Sequence, residues 1–266
     1  MIPSRNEKKD RSQAGLLTIV INIGNTNIRF GLFHGDECEK SWIFNTKPYR
    51  TSDEMQMQFM MMYQTYAIEA GDVTQIIIGS VVPQLTYDIT RAIQKIHGKK
   101  PVIVDRTTPS EVEPKSKQMG TDIYANLVAA HHLYPGKKKI IFDFGTALTA
   151  SCINESGETI GVIIAPGIIT SLNSLIHDTA QLPEIELIAP NSVLGLDTVS
   201  CMQSGMVYGY LGMVEGFIER INAEVKDDCF VIATGGVSHV YKPLTEKIHI
   251  ADRLHTLKGL YYLGTK

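Results

Sequence analysis

Apolar positions fall into short runs separated by polar turns, and their spacing predicts the elements. Leu16–Ile21 is apolar and β-branched in its second half, as suits a strand buried on both faces. It stops at the polar, glycine-containing turn Asn22-Ile23-Gly24-Asn25-Thr26-Asn27, after which Ile28, Phe30 and Leu32 alternate with Arg29, Gly31 and Phe33 in the period of two of a returning strand. Ser41–Phe44 reads as a third strand, and Ser52 or Asp53 is placed to cap a helix running to about Ala70. A strand at Gln75–Ser80, an amphipathic helix at Leu85–His97 and a short buried strand at Pro101–Val104 follow, an order that belongs to mixed α/β folds.

The polar loop Asp105–Met119 is long enough to be a domain boundary or a substrate-side loop. Beyond it, Ile123 to about Leu133 has the alanine-rich body of a closely packed helix, with Thr121 or Asp122 placed to cap it. Lys139–Ile153 then repeats the opening pattern: an apolar strand, a turn carrying Asp143, Gly145 and Thr146, and a second strand. Laying Asn22-Ile23-Gly24 on Asp143-Phe144-Gly145 superposes the two halves. Strands are expected at Thr159–Ile164, Cys229–Ala233 and Lys247–Ile250, with helices at 168–180, at Thr198–Lys226 and along Leu254, Leu257, Leu260 and Leu263. The repetition predicts two like α/β domains with a cleft between them, residues 16–115 and 116–266, after a polar extension at 1–15 that reads as disordered.

Each glycine turn between apolar strands is a candidate anion cradle, because glycine lets backbone amides point outward; taken singly, each is equally an ordinary hairpin. The third such turn is Gly235-Gly236. Two stripes need an explanation. Met55, Met57, Met60, Met61 and Met62 on the first helix read as flexible core filling. Gly205, Gly209, Gly212 and Gly216 share one face of the long helix, where each costs about 0.5–1 kcal/mol relative to alanine unless a partner helix approaches closely, within the monomer or across a two-fold axis.

Composition narrows the class without choosing a chemistry. The chain has 266 residues, 44% of them hydrophobic, enough for one large or two ordinary cores. A net charge of −3 supplies no basic field for nucleic acid, and no apolar run is long enough for a membrane span. Cys38, Cys152, Cys201 and Cys229 form no metal-spaced pair and read as free thiols. With no signal-peptide pattern at the N-terminus, the expected location is cytoplasmic.

The three turns, in this order, resemble the phosphate-1, phosphate-2 and adenosine segments of the actin, sugar-kinase and Hsp70 superfamily, whose members carry two duplicated ribonuclease H-like domains around a cleft. Within it, GNTNIRFGLF, GTD-x-x-AN-x-x-AA, DFGTALT, APGI, DTAQLP, ATGG and the terminal L-x-x-L-K-GL resemble type III pantothenate kinase, of the Bvg accessory factor-like family. The resemblance implies ATP-dependent phosphorylation of pantothenate, with Mg²⁺, a monovalent cation (K⁺ or NH₄⁺) and a homodimer. Residues Asn22 through Arg29 (Asn22, Ile23, Gly24, Asn25, Thr26, Asn27, Ile28, Arg29) and Thr146 would hold the ATP phosphates, and Gly235 and Gly236 the adenosine. Asp143 would bind the monovalent cation. Asp122 would be the general base, with Gly120, Thr121 and Ile123 lining the pantothenate site and Thr179 reaching it from the second subunit.

The chain departs from that pattern where charge matters most. Asn22 stands where the family has an aspartate, Ile123 where it has an arginine, and Ser151 where a carboxylate is usual. These departures leave three readings: a pantothenate kinase, at full or reduced activity; a catalytically impaired homologue acting in binding or regulation; and a kinase for another small hydroxyl substrate.

Overall fold

The computed structural model describes residues 17–179 and 181–265, so the N-terminal extension lies outside the described residues. The first three strands, β1 (Leu17–Ile23), β2 (Asn27–His34) and β3 (Glu37–Asn45), form an antiparallel meander. Helix α1 (Ser52–Tyr66) leads to β4 (Val73–Ser80), which pairs parallel to β1, and α2 (Pro83–His97) leads to β5 (Val102–Val104), parallel to β4. After the long loop come α3 (Thr121–Leu133), a second antiparallel meander of β6 (Lys139–Phe144), β7 (Ala147–Ile153) and β8 (Thr159–Pro166), then α4 (Ile168–His177) and α5 (Thr198–Val225). Strand β9 (Phe230–Gly235) pairs parallel to β6, the short α6 (Ser238–Tyr241) follows, β10 (Ile250–Ala251) pairs parallel to β9, and α7 (His255–Gly264) closes the chain. The result is two mixed five-stranded sheets, β3-β2-β1-β4-β5 and β10-β9-β6-β7-β8.

Strand alternation sorts the side chains into three cores. Ile19, Ile21 and Ile23 of β1 and Ile76 and Ile78 of β4 face α1 and α2, whereas Val20 and Ile77 face the other way. In the second sheet Ile140, Phe142 and Phe144 face α5 and α6, and Ile141 faces the opposite side. Those opposite sides share one core with α3 and α7: Val20 and Ile77 from the first sheet, Ile141, Ile153 and Ile232 from the second, and Tyr124, Leu127, Leu257 and Leu260 from the helices. Helix α7, although it ends the chain, packs on β1, β4 and β5 as well as on α3. Glycine makes this possible. A Cβ on Gly259 would overlap the carbonyl oxygen of Ala125, and one on Gly79 would overlap the Leu260 side chain.

Several element ends differ from the sequence reading. Thr51, not Ser52 or Asp53, caps α1 through a reciprocal capping box with Glu54, and the helix ends at Tyr66 with Ala67 left-handed, short of Ala70. Helix α4 ends at His177, β9 extends to Gly235, and β10 is only Ile250–Ala251. The methionine stripe is corrected more fundamentally: Met55 and Met62 are buried, but Met57, Met60 and Met61 are 56–67% exposed, because five methionines in eight positions wrap beyond the face that α1 presents to the sheet.

The tight α3–α7 contact yields a test. Gly259→Ala should lower stability by about 1–3 kcal/mol in urea unfolding, since its Cβ meets rigid backbone. An unchanged midpoint and slope would contradict the packing.

Candidate active site

Both meanders turn sharply at the same end of their sheets. In the first turn Gly24 N–H donates to Asn27 O (3.0 Å), and Thr46 at the end of β3 braces it by donating from N to Thr26 O (2.9 Å) and from Oγ1 to Gly24 O (2.7 Å). In the second, Gly145 N–H donates to Ala147 O (3.2 Å), and Thr146 O accepts from Gly167 N (3.1 Å) and Thr170 Oγ1 (2.7 Å) at the start of α4. Gly167 is required there, since a Cβ would overlap the Gly145 and Thr146 carbonyls. The two turns meet: Thr26 Oγ1 lies 2.7 Å from Thr146 Oγ1, across 120 residues of chain.

The third turn joins them. Gly235 has φ +94°, and a Cβ would sit 2.6 Å from the backbone N and O of Phe144 and 2.7 Å from Asp143 Oδ1. A Cβ on Gly236 would lie 3.4 Å from Arg29 Nη2. Arg29 in turn donates from Nη1 to the carbonyl of Arg253 (3.3 Å) just before α7. All three glycine turns therefore converge on Arg29 and Asp143. Asn25, Thr26, Gly145 and Thr146 are exposed, although Gly145 N–H is spent on Ala147 O and the two threonine hydroxyls bond each other; Ile23 and Ile28 are buried in the first core and offer only backbone atoms.

Behind the turns sit two carboxylates. Asp122 lies in the first turn of α3 but is not the helix cap: the N-cap is Gly120, no side chain caps the helix, and the Asp122 carboxylate accepts from the next residue's N–H (Ile123 to Oδ1, 2.8 Å) and from its own backbone N–H. Gly120 accommodates this fold-back, because a Cβ there would lie 2.5 Å from Asp122 Oδ1. Burial pushes the Asp122 carboxyl above its ordinary pKa. Burial, reinforced by the charge of Asp122, raises Asp143 to about 6, while a hydrogen bond from Asn126 Nδ2 to its Oδ2 (3.1 Å) and the nearby Arg29 guanidinium act the other way.

The remaining expected residues divide. Thr121 is buried, and Ile123 is half-buried against the central core. Asn22 is half-buried opposite Arg29 in the β1–β2 register. Thr179 is not brought to the site within one subunit. It lies exposed past the far end of α4, about 15 Å from the second turn by helix rise, its hydroxyl donating to Leu175 O (2.8 Å). Among the described residues no three His, Cys, Asp or Glu side chains gather as a metal-binding group. The two mutually repelling carboxylates nonetheless suit a small cation held partly by backbone carbonyls and ligand oxygens.

Sequence reasoning included Asn126 only as a letter of GTD-x-x-AN-x-x-AA and gave it no role, and it missed Thr256 and Arg253, which nothing local marks. Residues 106–114 of the long loop and Tyr124 of α3 line an open pocket of about 260 Å³, and Tyr124 Oη sits 2.7 Å from Ser110 Oγ.

A sequence profile of the type III pantothenate kinase family matches residues 18–220. Among solved structures, a protein from Campylobacter jejuni described as a Baf family transcriptional activator is 16% identical, with 92% of this chain and 96% of that one covered and a TM-score of 0.57. A Listeria monocytogenes protein described as an N-acetylmannosamine kinase is 10% identical (93% and 98% covered, TM-score 0.53). An activator of 2-hydroxyisocaproyl-CoA dehydratase from Clostridium difficile, with ADPNP bound, is also 10% identical (93% and 94% covered, TM-score 0.51). At these identities the likeness is one of fold: an α/β fold similar to that of sugar kinases.

The carboxylate pair carries a pH signature. A carboxyl whose folded pKa is raised contributes stability at low pH that is lost as pH rises through the folded value. In buffer free of metal and ammonium ions, Asp143→Asn should therefore stabilise the protein at pH 7 by about 2–3 kcal/mol, from a carboxyl displaced from 3.8 to about 6. The gain should vanish below pH 4. A difference in melting temperature that does not vary between pH 4 and 7 would contradict the placement.

Proposed function

Because the chain belongs to the type III pantothenate kinase family, we propose that it transfers the γ-phosphoryl group of ATP to the pantothenate hydroxyl, giving 4′-phosphopantothenate and ADP. The carrying observation is the meeting of Thr26 with Thr146 at turns whose glycines lie beside Asp143, a carboxylate that in turn feels the charge of Asp122. A kinase needs this arrangement: donors for phosphate oxygens on one side, a base for the acceptor hydroxyl on the other.

The residues divide the work. The turn Asn22 to Ile28, chiefly through the backbone amides of Asn25 and Thr26, the hydroxyls of Thr26 and Thr146, and Arg29 hold the phosphates, and Gly235-Gly236 lie against the adenosine. Asp122, made a stronger base by burial, takes the proton as the pantothenate oxygen bonds to the γ-phosphorus and the bond to the ADP oxygen breaks in line. Gly120, Thr121 and Ile123 line the acceptor side. Asp143 would hold a monovalent cation, K⁺ or NH₄⁺, and Asn22 would keep a Mg²⁺-bound water through its amide oxygen; when bound, these cations neutralise phosphate charge. We assign residues 16–115 and 116–266 to two duplicated ribonuclease H-like domains, with the converging turns in the cleft between them and a cytoplasmic location for the enzyme.

A homodimer completes the proposal, with Thr179 reaching the partner's acceptor site. Its support is that the positions where Gly205, Gly209 and Gly212 would carry a Cβ meet nothing within 4 Å, so no helix of the same subunit among the described residues uses the stripe. Val193, Leu194 and Leu196, on the segment leading into α5, are also exposed. Gly209→Leu should convert the dimer to monomer or aggregate in light scattering; an unchanged dimer would contradict this interface.

Asn22 and Ile123 set the expected rate. A hydrogen bond to a charged group contributes about 1.5–3 kcal/mol, so the missing arginine alone weakens acceptor or transition-state binding roughly 10- to 150-fold. Asn22→Asp should mainly raise kcat and sharpen Mg²⁺ dependence, and Ile123→Arg should mainly lower KM for pantothenate. Asp122→Asn should abolish turnover and leave ADPNP binding intact. The assay is coupled ADP release with and without pantothenate. ADP release that requires a different small alcohol in place of pantothenate, or nucleotide binding with no turnover in the parent and both reversions, would replace this reading by a kinase of that alcohol or by a binding protein.

A further inference from the structure

The amide that braces Asp143 is itself held by the last helix. Asn126 is 1% exposed in the middle of α3. Its Nδ2 donates to Asp143 Oδ2 (3.1 Å), and its Oδ1 accepts from Thr256 Oγ1 (2.8 Å) in the first turn of α7. Its backbone carbonyl accepts from His255 Nε2 (3.0 Å). Buried His255 is pushed down to about 4 and is neutral near pH 7, so the proton that this bond requires sits on Nε2. These contacts fix which way the amide faces. Only an NH₂ end can donate to a carboxylate; the reversed amide would set a carbonyl oxygen against Asp143 and leave Thr256 to accept instead.

We propose that Thr256 and Asn126 form a positioning pair, in which the Thr256 hydroxyl locks the Asn126 amide so that its NH₂ holds Asp143 at the convergence of the three glycine turns. Neither residue touches the reacting atoms. The pair acts through Asp143, and its catalytic consequence rests on the function proposed above. The same stretch of chain ties the other walls of the site: Asp252 N donates to Ala233 O (2.8 Å) on β9, Arg253 O accepts from Arg29, and Lys258 Nζ bonds Asp252 Oδ2 (2.7 Å), which fastens the start of α7. The Gly259–Ala125 backbone contact sets the distance between α7 and α3 at which a threonine hydroxyl reaches the amide. An α7 residue thereby controls a carboxylate on β6.

Two substitutions separate the hydroxyl from the packing. Thr256→Val keeps the branched shape and removes the donor; Thr256→Ser keeps the donor and removes a methyl. In the full chain labelled with ¹⁵N, the Asn126 side-chain amide is identified as the cross-peak lost in Asn126→Ala. We expect this cross-peak to be protected from solvent exchange in the parent and in Thr256→Ser, and to exchange at least about tenfold faster in Thr256→Val. Under the kinase assay, kcat should fall roughly tenfold in Thr256→Val, with KM for pantothenate within about twofold, and Thr256→Ser should recover most of the rate. Equal protection in all three proteins, or equal loss in both variants, overturns the pair, because the hydroxyl would then not be what orients the amide. If the parent fails to phosphorylate pantothenate while Thr256→Val alone loses protection, the functional reading falls and the positioning pair stands.

Discussion

The backbone contact between α7 and α3 is the constraint on which the site depends. Without a Cβ on Gly259, the two helices close to where one core is shared by both sheets, from Val20 and Ile77 on one side to Ile141 and Ile232 on the other. That closure registers the two meander turns. Thr26 and Thr146, one on each turn, stand 2.7 Å apart. Close packing of this kind is stiff, and a change of one methylene there is felt across it.

On this rigid platform the electrostatics are deliberately unbalanced. Asp122 and Asp143 repel each other in a partly desolvated place, with Arg29 and one amide as their nearby compensation. Such strain is tolerated where a ligand relieves it. Phosphates and cations arriving together would restore the balance, and the raised pKa of Asp122 is what a proton acceptor for an alcohol needs. On the proposed reading, the uncharged Asn22 and Ile123 shift that balance and leave the proposed base and cradle in place, so reduced turnover rather than a different chemistry is expected.

How much of this was legible in the sequence varied with the range of the physics involved. Strand-turn-strand units were readable because alternation and glycine are local: both meanders, Gly235-Gly236 and the long α5 appear where the periodicity put them. Helix ends were less so, since the Thr51–Glu54 capping box and the left-handed Ala67 depend on side-chain geometry that residue type only suggests. The α1 methionines misled because core filling and exposure look alike at helical spacing. Asp122 resembled a cap in sequence, and only coordinates reveal that its carboxylate folds onto Ile123 N–H. The Thr256–Asn126–Asp143 chain spans 130 residues and could not be inferred from any local pattern. The glycine stripe posed its question in sequence, and the open space beside Gly205, Gly209 and Gly212 leaves no partner helix for them among the described residues.

The central claim is that these turns and Asp122 direct a phosphoryl group to the pantothenate hydroxyl. Phosphorus NMR of the protein with ATP, Mg²⁺, K⁺ and pantothenate tests it most directly, because it identifies the bond that forms. The account predicts growth of a phosphomonoester resonance matching 4′-phosphopantothenate in step with ADP, absent with Asp122→Asn. Inorganic phosphate as the sole new resonance, or an undiminished phosphomonoester signal from the Asp122 variant, would contradict it.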